Sequence, residues 1–363
     1  ERYDASIDLK HFNLKRMVPR SFQSDLSGRA ELHGESFKNR DLSLLFDVDI
    51  SESSFDGYPI QEAHGKLHVT TDSIRFVDSF TVRYFENWLK ASGKVEYSGL
   101  MDLAVEGDIP RLDRYTGKFF VKEPAGRCRL DGRIIGKTTD PAVRGTFKSD
   151  SLWLYGLYST GVSADLDIDH FFSRPSGDIT CHFDSGLAWD IPYDSIFSIL
   201  RIDSGHVMID SLFTENAYSS VSTCGDLWYE AYPSQLRLDT LRWTLFSQRF
   251  VNSGPVRVDI DSAGYIFVSS AITDGEGQFA IEGRINYDES LASSIKLENA
   301  QLAPWIQLFR DDLSVTAVAS CRVNLQGDLA HPAFVADGSL DSLTYEELKL
   351  GDMSFGVRYA DRK

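Results

Sequence analysis

Residues 101–109 read MDLAVEGDI, and their alternation decides the fold. Met101, Leu103, Val105 and Ile109 share one phase, and Asp102, Glu106 and Asp108 share the other. A period of two puts successive side chains on opposite faces of a β-strand, one apolar and one wet. The pattern recurs along the chain. Leu166 and Ile168 alternate with Asp165, Asp167 and Asp169; Val256, Val258 and Ile260 alternate with Arg257, Asp259 and Asp261; Phe279, Ile281 and Ile285 share a phase in FAIEGRI; Leu67 and Val69 do so in KLHVT. Buried parallel strands read as continuous apolar runs, so one-sided strands of this kind predict an antiparallel, mainly β chain. Helical signal is sparse. APWIQLFRDDL (303–313), with Pro304 at a first-turn position and Trp305, Leu308 and Phe309 at i, i+3, i+4, predicts a short helix. Residues 10–24 and 110–122 are expected to be short helical or loop excursions.

The totals narrow the function. The chain has 363 residues, 42% of them hydrophobic and 25% charged, which is the composition of a folded protein. Its formal net charge of −17 argues against nucleic acid and against a polybasic membrane-surface segment. No apolar run approaches the ~20 residues of a membrane-spanning helix, and no signal peptide is evident. The opening ERYDASIDLK and the closing SFGVRYADRK both read as strand, so the expectation is an internal piece of a longer protein. Cys128, Cys181, Cys224 and Cys321 lie far apart in no metal-type spacing. Cys128, Cys181 and Cys321 fall on apolar strand phases and read as small hydrophobes, with a disulfide left open by spacing alone.

Catalytic and metal motifs fail on their particulars. DLDID at 165–169 would begin an EF-hand loop, but the required Gly and Glu positions hold His170 and Ser176. His64 and His68 are four apart on a predicted strand, about 13 Å, too far for one metal. DGEGQFAIEG lacks a following helix and a Lys-Ser/Thr, and reads as a hairpin turn rather than a phosphate loop. No G-x-S-x-G elbow is present. The expectation is no enzyme, no metal and no cofactor. A carbohydrate-active β-solenoid would need a carboxylate pair in a cleft, which sequence does not display.

The chain repeats itself. SGRAELHG at 27–34 returns as AGRCRLDG at 125–132, starting 98 residues later, and as ASCRVNLQG at 319–327. A strand and an excursion precede each copy. A closing phrase also recurs, as GKVEY (93–97), GDLWY (225–229) and GRINY (283–287). The domain reading is therefore the end of a preceding repeat and a crossing segment (1–25), a first β repeat (26–124), an extended second repeat with closing phrases near 225 and 283 (125–312), and the start of a further repeat (313–363). Units of this kind bury their apolar faces by stacking on neighbours. The opening phrase reads as the first strand after each crossing, with Ala30, Leu32, Cys128 and Leu130 on the apolar phase.

Residues 325–357, LQGDLAHPAFVADGSLDSLTYEELKLGDMSFGV, resemble the recurring L-x-G-x-L-x-x-P-x-x-x-x-G-x-L…Y-x-x-L-x-L unit of the TamB and AsmA-like proteins of diderm bacteria. Residues 127–157, with Pro141 and Gly145, follow a looser version, and WTLFSQRFVNSGPVRVDID is similar to a segment of these proteins. The resemblance implies an elongated antiparallel sheet folded lengthwise into an open apolar groove, the β-taco or repeating β-groove of bridge-like lipid transfer proteins. It implies phospholipid acyl chains as ligand and a periplasmic location, in a parent whose inner-membrane anchor lies outside this segment. It also implies an outer-membrane β-barrel partner of the TamA type acting through the parent. Placing the apolar phase inward, the expected lining includes Leu67, Val69, Met101, Leu103, Val105, Leu166, Ile168, Val256, Val258, Ile260, Phe279 and Ile281. The rival expectation is an assembly or chaperone module for β-barrel proteins that captures strands at an open sheet edge.

Overall fold

The computed structural model describes residues 2–13, 23–34, 42–55, 57–112, 125–154, 157–188, 191–246, 248–303, 306, 310, 312–328 and 332–359. It is almost entirely antiparallel β-strand and divides into two units, Glu1–Pro192 and Tyr193–Lys363.

The first unit contains β1 (Tyr3–Phe12), β2 (Ser24–Gly34), β3 (Ser43–Phe55), β4 (Tyr58–Thr70), β5 (Ser73–Tyr84), β6 (Asn87–Glu96), β7 (Leu100–Ile109), β8 (Ala125–Lys137) and β9 (Asp140–Leu154). They are followed by β10 (Leu157–Ser159), β11 (Val162–Asp169), β12 (Ser176–Phe183) and β13 (Gly186–Ala188), and β14 (Ile191–Tyr193) spans the boundary. β1 to β9 each pair with the next in sequence; β9 then pairs with β11 and β11 with β12. Short β10 pairs with the end of β9 and with β13.

The second unit is another meander, of β15 (Ser195–Asp203), β16 (His206–Glu215), β17 (Ser219–Trp228), β18 (Ser234–Leu245), β19 (Gln248–Asn252), β20 (Val256–Ile260), β21 (Gly264–Ser269), β22 (Ala271–Thr273), β23 (Gln278–Asn286), β24 (Ser290–Gln301), β25 (Val315–Asp328), β26 (Pro332–Tyr345) and β27 (Leu348–Tyr359). β19 and β20 behave as one interrupted strand, since both pair with β18; β21 and β22 are another, both pairing with β23.

In both units the strands' extensive backbone contacts are with hydrogen-bonded neighbours. Buried apolar clusters are small. Ala30, Val48, Ile50 and Ala63 form one in the first unit, and Leu245, Phe250 and Ile272 form one in the second. Among the described residues helix is almost absent. Around the predicted helix, Ile306 N donates to Leu302 O at 3.2 Å and Arg310 N to Ile306 O at 2.8 Å, while Pro304, Trp305, Leu308 and Phe309 lie outside the described residues. Of the expected excursions, residues 14–22 and 113–122 also lie outside them; Lys10–Phe12 continue β1 and Ser24 begins β2, so strand extends further there than the sequence predicts.

The opening phrases occupy β2, β8 and β25. Ala30 and Cys128 are buried and Leu32 and Leu130 half-buried, while Arg29, Glu31 and Arg129 are exposed. The first two phrases share a device as well. Where β2 meets β3 the register slips by a residue, and the buried Ser53 hydroxyl reaches Ser27 O (3.2 Å) and Ser51 O (2.9 Å). Where β8 meets β9 the same slip is filled by Ser149, whose hydroxyl reaches Arg127 O (2.5 Å) and Ser151 O (2.7 Å). A bulge leaves ladder groups unpaired, and a small hydroxyl side chain satisfies them without leaving the sheet.

All four cysteines are free thiols. Burial pushes the Cys128 thiol up to about 11, so it is not a thiolate at neutral pH. Cys224 sits opposite Thr240, with Sγ 2.9 Å from its hydroxyl.

Candidate apolar lining site

Residues paired across antiparallel strands share a face, so the registers can be followed from strand to strand. In the first unit one ladder runs Leu32–Phe46–Leu67–Phe76–Gly93–Leu103–Ile134–Val143–Ile168–Gly177. Beside it run Leu44–Val69–Ile74–Val95–Met101 and Ala91–Val105–Gly132–Gly145–Leu166–Ile179. A fourth is Ile50–Ala63–Val82–Leu89–Gly107–Leu130–Phe147–Ala164–Cys181. Leu67, Val69, Met101, Leu103, Val105, Leu166 and Ile168 thus lie on one face, Ile168 buried and the other six half-buried. Phe46, Phe76, Ile134 and Val143 join them. In the sequence the phase of Ile134 is hidden by Ile135 beside it; the pairing with Leu103 places Ile134 on this face.

The opposite face of the first unit is ionic. Asp8–Arg29–Asp49–His64–Thr81–Lys90–Glu106–Asp131–Thr146–Asp165 is one of its ladders. Arg133 holds Asp102 through Nε–Oδ1 (2.6 Å) and Nη2–Oδ2 (2.7 Å), and Arg127 forks onto Asp108 (3.0 and 2.7 Å). Each guanidinium keeps its carboxyl below the usual range. Asp167 and Asp169 are exposed and share Arg144, at 2.7 and 3.3 Å, and His68 meets the Ser43 hydroxyl at 2.9 Å. Among the described residues no group of three metal-ligating side chains converges.

In the second unit the longest ladder is Ile202–Val207–Leu227–Leu236–Val258–Phe267–Gly283–Ser293–Leu325–Phe334–Tyr359. Val256 closes Leu200–Ile209–Gly225–Leu238–Val256, and Ile260 begins Ile260–Tyr265–Ile285–Leu291. Ile281 starts the ladder Ile281–Ile295–Val323–Ala336–Val357, and Phe279 lies between Ile272 and Leu297. All five expected lining residues of this unit are on one face; Val256 and Val258 are buried and Ile260, Phe279 and Ile281 half-buried. Asp259 faces the other way as its phase requires, yet it is buried rather than wet. Arg257 covers it with a two-pronged pair at 2.9 and 3.0 Å. DGEGQ is a hairpin turn, with Gly277 N donating to Asp274 Oδ1 at 2.6 Å.

No sequence pattern announces the second unit's most regular feature, a line of strand breaks at one level. Register slips at Ile199/Leu200, Ile209/Leu212 and Cys224/Gly225, then the gap at Ser253–Pro255 between β19 and β20, and Ser270 between β21 and β22. The ladder from Leu200 to Val256 runs along the margin of this line, so the breaks are neighbours. Polar side chains fill them. Asn252 accepts from Leu241 N (2.8 Å) and donates to Asp239 O (3.0 Å) and Gly254 O (2.8 Å). Thr223 donates to Thr240 O at 2.7 Å, and the Ser270 hydroxyl to Ile281 O. Bulges bend a strand and increase its twist; a row of them acts on several strands together.

The closing phrases share two features, although only Gly93 and Gly283 have positive φ. Gly93, Gly225 and Gly283 lie on apolar ladders, and a Cβ at each would come within 2.1, 2.1 and 2.4 Å of the next strand's carbonyl oxygen. Four residues on, Tyr97, Tyr229 and Tyr287 donate their backbone N–H to Asp72 O (2.9 Å), Gly205 O (3.0 Å) and Ala263 O (2.8 Å).

The carboxylates set a pH dependence. Asp102, Asp108 and Asp261 are depressed chiefly by their arginine partners, and Asp140 to about 2, first by the Ser173 hydroxyl and then by His170 and backbone N–H groups. A carboxyl lowered in the folded state contributes stability that is present above its unfolded pKa and lost as pH falls through the folded value. The urea midpoint is therefore expected to drop between about pH 4 and pH 2, by circular dichroism. A midpoint at pH 2.5 equal to that at pH 5 would show that these pairs do not stabilise the fold.

Compared with protein-family models, curated proteins and solved structures, the chain matches none.

Proposed function

We propose that this chain shields lipid acyl chains, as a periplasmic segment of a bridge-like lipid transport protein of the TamB and AsmA-like kind. In this reading the sheet folds lengthwise into an open groove, with its apolar face inward and short helical excursions between repeats. The observation that carries it is the set of apolar ladders that continue across strand after strand while remaining half-exposed. A compact domain would bury such a face under a second layer. A water-exposed acyl chain costs about 0.8 kcal/mol per CH₂, so a chain of ~16 carbons carries on the order of 13 kcal/mol. A continuous wall of Leu, Ile, Val and Phe relieves that cost at every step. The aligned breaks of the second unit supply a bend, and the ionic opposite face with the net charge of −17 keeps the protein dissolved.

A second reading is strand capture, in which an unpaired sheet edge templates the pairing of an extended segment. Native mass spectrometry separates the two. Protein recovered from bacterial membranes under mild detergent is expected to carry masses of one or more diacyl phospholipids per chain. A lipid-free chain that instead binds extended β-barrel peptides would establish the capture reading.

A further inference from the structure

Four hairpin tips lie at one end of the strands of the second unit, at residues 203–206, 229–234, 260–264 and 286–290. They are joined in a row. Tyr229 N donates to Gly205 O at 3.0 Å, the Tyr232 and Ser262 hydroxyls are 3.5 Å apart, and Tyr287 N donates to Ala263 O at 2.8 Å. Tyr265 belongs to the apolar ladder with Ile260 and Ile285, and the Tyr287 ring meets it edge to face at 5.4 Å. The tyrosines therefore stand where the apolar face ends and water begins. Tyr229, Tyr232, Tyr265 and Tyr287 are all exposed there.

The charge along this rim is mainly acidic. The four tips contain Asp203, Glu230, Asp261, Asp288 and Glu289 and no Lys or Arg, with His206 turned onto Asp226 at 2.8 Å and Arg284 reaching the rim from β23. Asp261 is engaged by Arg284, at 2.6 and 2.8 Å, and Asp288 by Ser290; Asp203, Glu230 and Glu289 are exposed. Burial chiefly, then Tyr265 and the Asp261 charge, raises the Tyr287 phenol. Aromatic faces beside carboxylates suit an ammonium cation and repel an anionic group.

We infer that this rim holds the ammonium of a zwitterionic, ethanolamine-type phospholipid headgroup, with the lipid's acyl chains on the adjoining apolar face. The inference rests on the lipid-shielding reading. Tyrosine suits the position because its ring continues the apolar wall while its hydroxyl reaches the phosphate and ester oxygens at the water boundary.

The test uses the whole chain and vesicles holding equal amounts of phosphatidylethanolamine and phosphatidylglycerol with identical acyl chains. Lipid recovered with the protein is quantified by mass spectrometry. The wild type is expected to enrich the ethanolamine lipid at least threefold. Tyr265→Leu/Tyr287→Leu, and separately Glu230→Gln/Glu289→Gln, are expected to return the ratio to that of the vesicles. The glutamate pair lies at exposed tips and leaves the fold intact, so it decides the matter should the tyrosine pair unfold. A wild-type ratio equal to the input, or enrichment that survives the glutamate substitutions, would overturn the headgroup site while leaving acyl shielding in place. Wild-type protein that recovers no lipid would overturn both.

Discussion

Leu103→Asp is expected to lower the lipid carried per chain at least tenfold while the protein still folds. Leu103 stands between Gly93 and Ile134 on the longest apolar ladder of the first unit and is half-buried. A carboxylate there must either lose water to a passing acyl chain or keep its water and exclude the chain. Tenfold corresponds to about 1.4 kcal/mol, less than the usual cost of desolvating an unpaired charge. Because the site is not fully buried, the folded state tolerates the substitution better than the ligand does. Leu103→Ala should reduce lipid far less, and Glu106→Ala, on the opposite face, should leave it unchanged. Lipid mass per chain, measured with the urea midpoint of each variant, checks all three. A Leu103→Asp protein that carries wild-type lipid would remove this face from the ligand's path.

Gly93→Ala is expected to be among the most destabilising single substitutions in the chain. Gly93 has φ +125°, and its added Cβ would lie 2.1 Å from Asp102 O, a backbone atom of β7 that cannot swing aside. The strained dihedral and the clash together should cost ~3 kcal/mol or more, seen as a large fall in urea midpoint. Gly283→Ala, with φ +129° and a Cβ 2.4 Å from Ala292 O, should behave alike, because both glycines open a closing phrase. Gly254→Ala, where a Cβ meets nothing within 4 Å, should stay within about 0.5 kcal/mol of wild type. Equal, small effects at all three would mean that the closing phrases do not depend on glycine.

The strands were legible in the sequence because each carries its own two-residue period. MDLAVEGDI and VRVDID predict their faces, and the registers place Met101, Leu103 and Val105, and Val256, Val258 and Ile260, as that phase requires. The recurring phrases were legible too, as glycine and tyrosine at a fixed spacing. What stayed hidden depends on pairs of strands. A register slip at Ile209/Leu212 is defined only against β17, and the alignment of such slips across neighbouring strands has no one-strand signature. Asp259 shows the same limit. Its phase is polar, but its burial comes from the folded position of the Arg257 side chain. Ile134 and Ile135 show it again, since only pairing with Leu103 reveals which of them is on the apolar face.

The most direct test of acyl-chain shielding is photo-crosslinking along β7 in cells that make the full-length protein. A diazirine amino acid placed in turn at Met101, Leu103 and Val105 is expected to yield lipid adducts, and at Ala104 and Glu106 almost none, so that labelling alternates with the strand's two-residue period. Labelling of equal strength at all five positions, or no lipid adduct at any of them, would contradict the account.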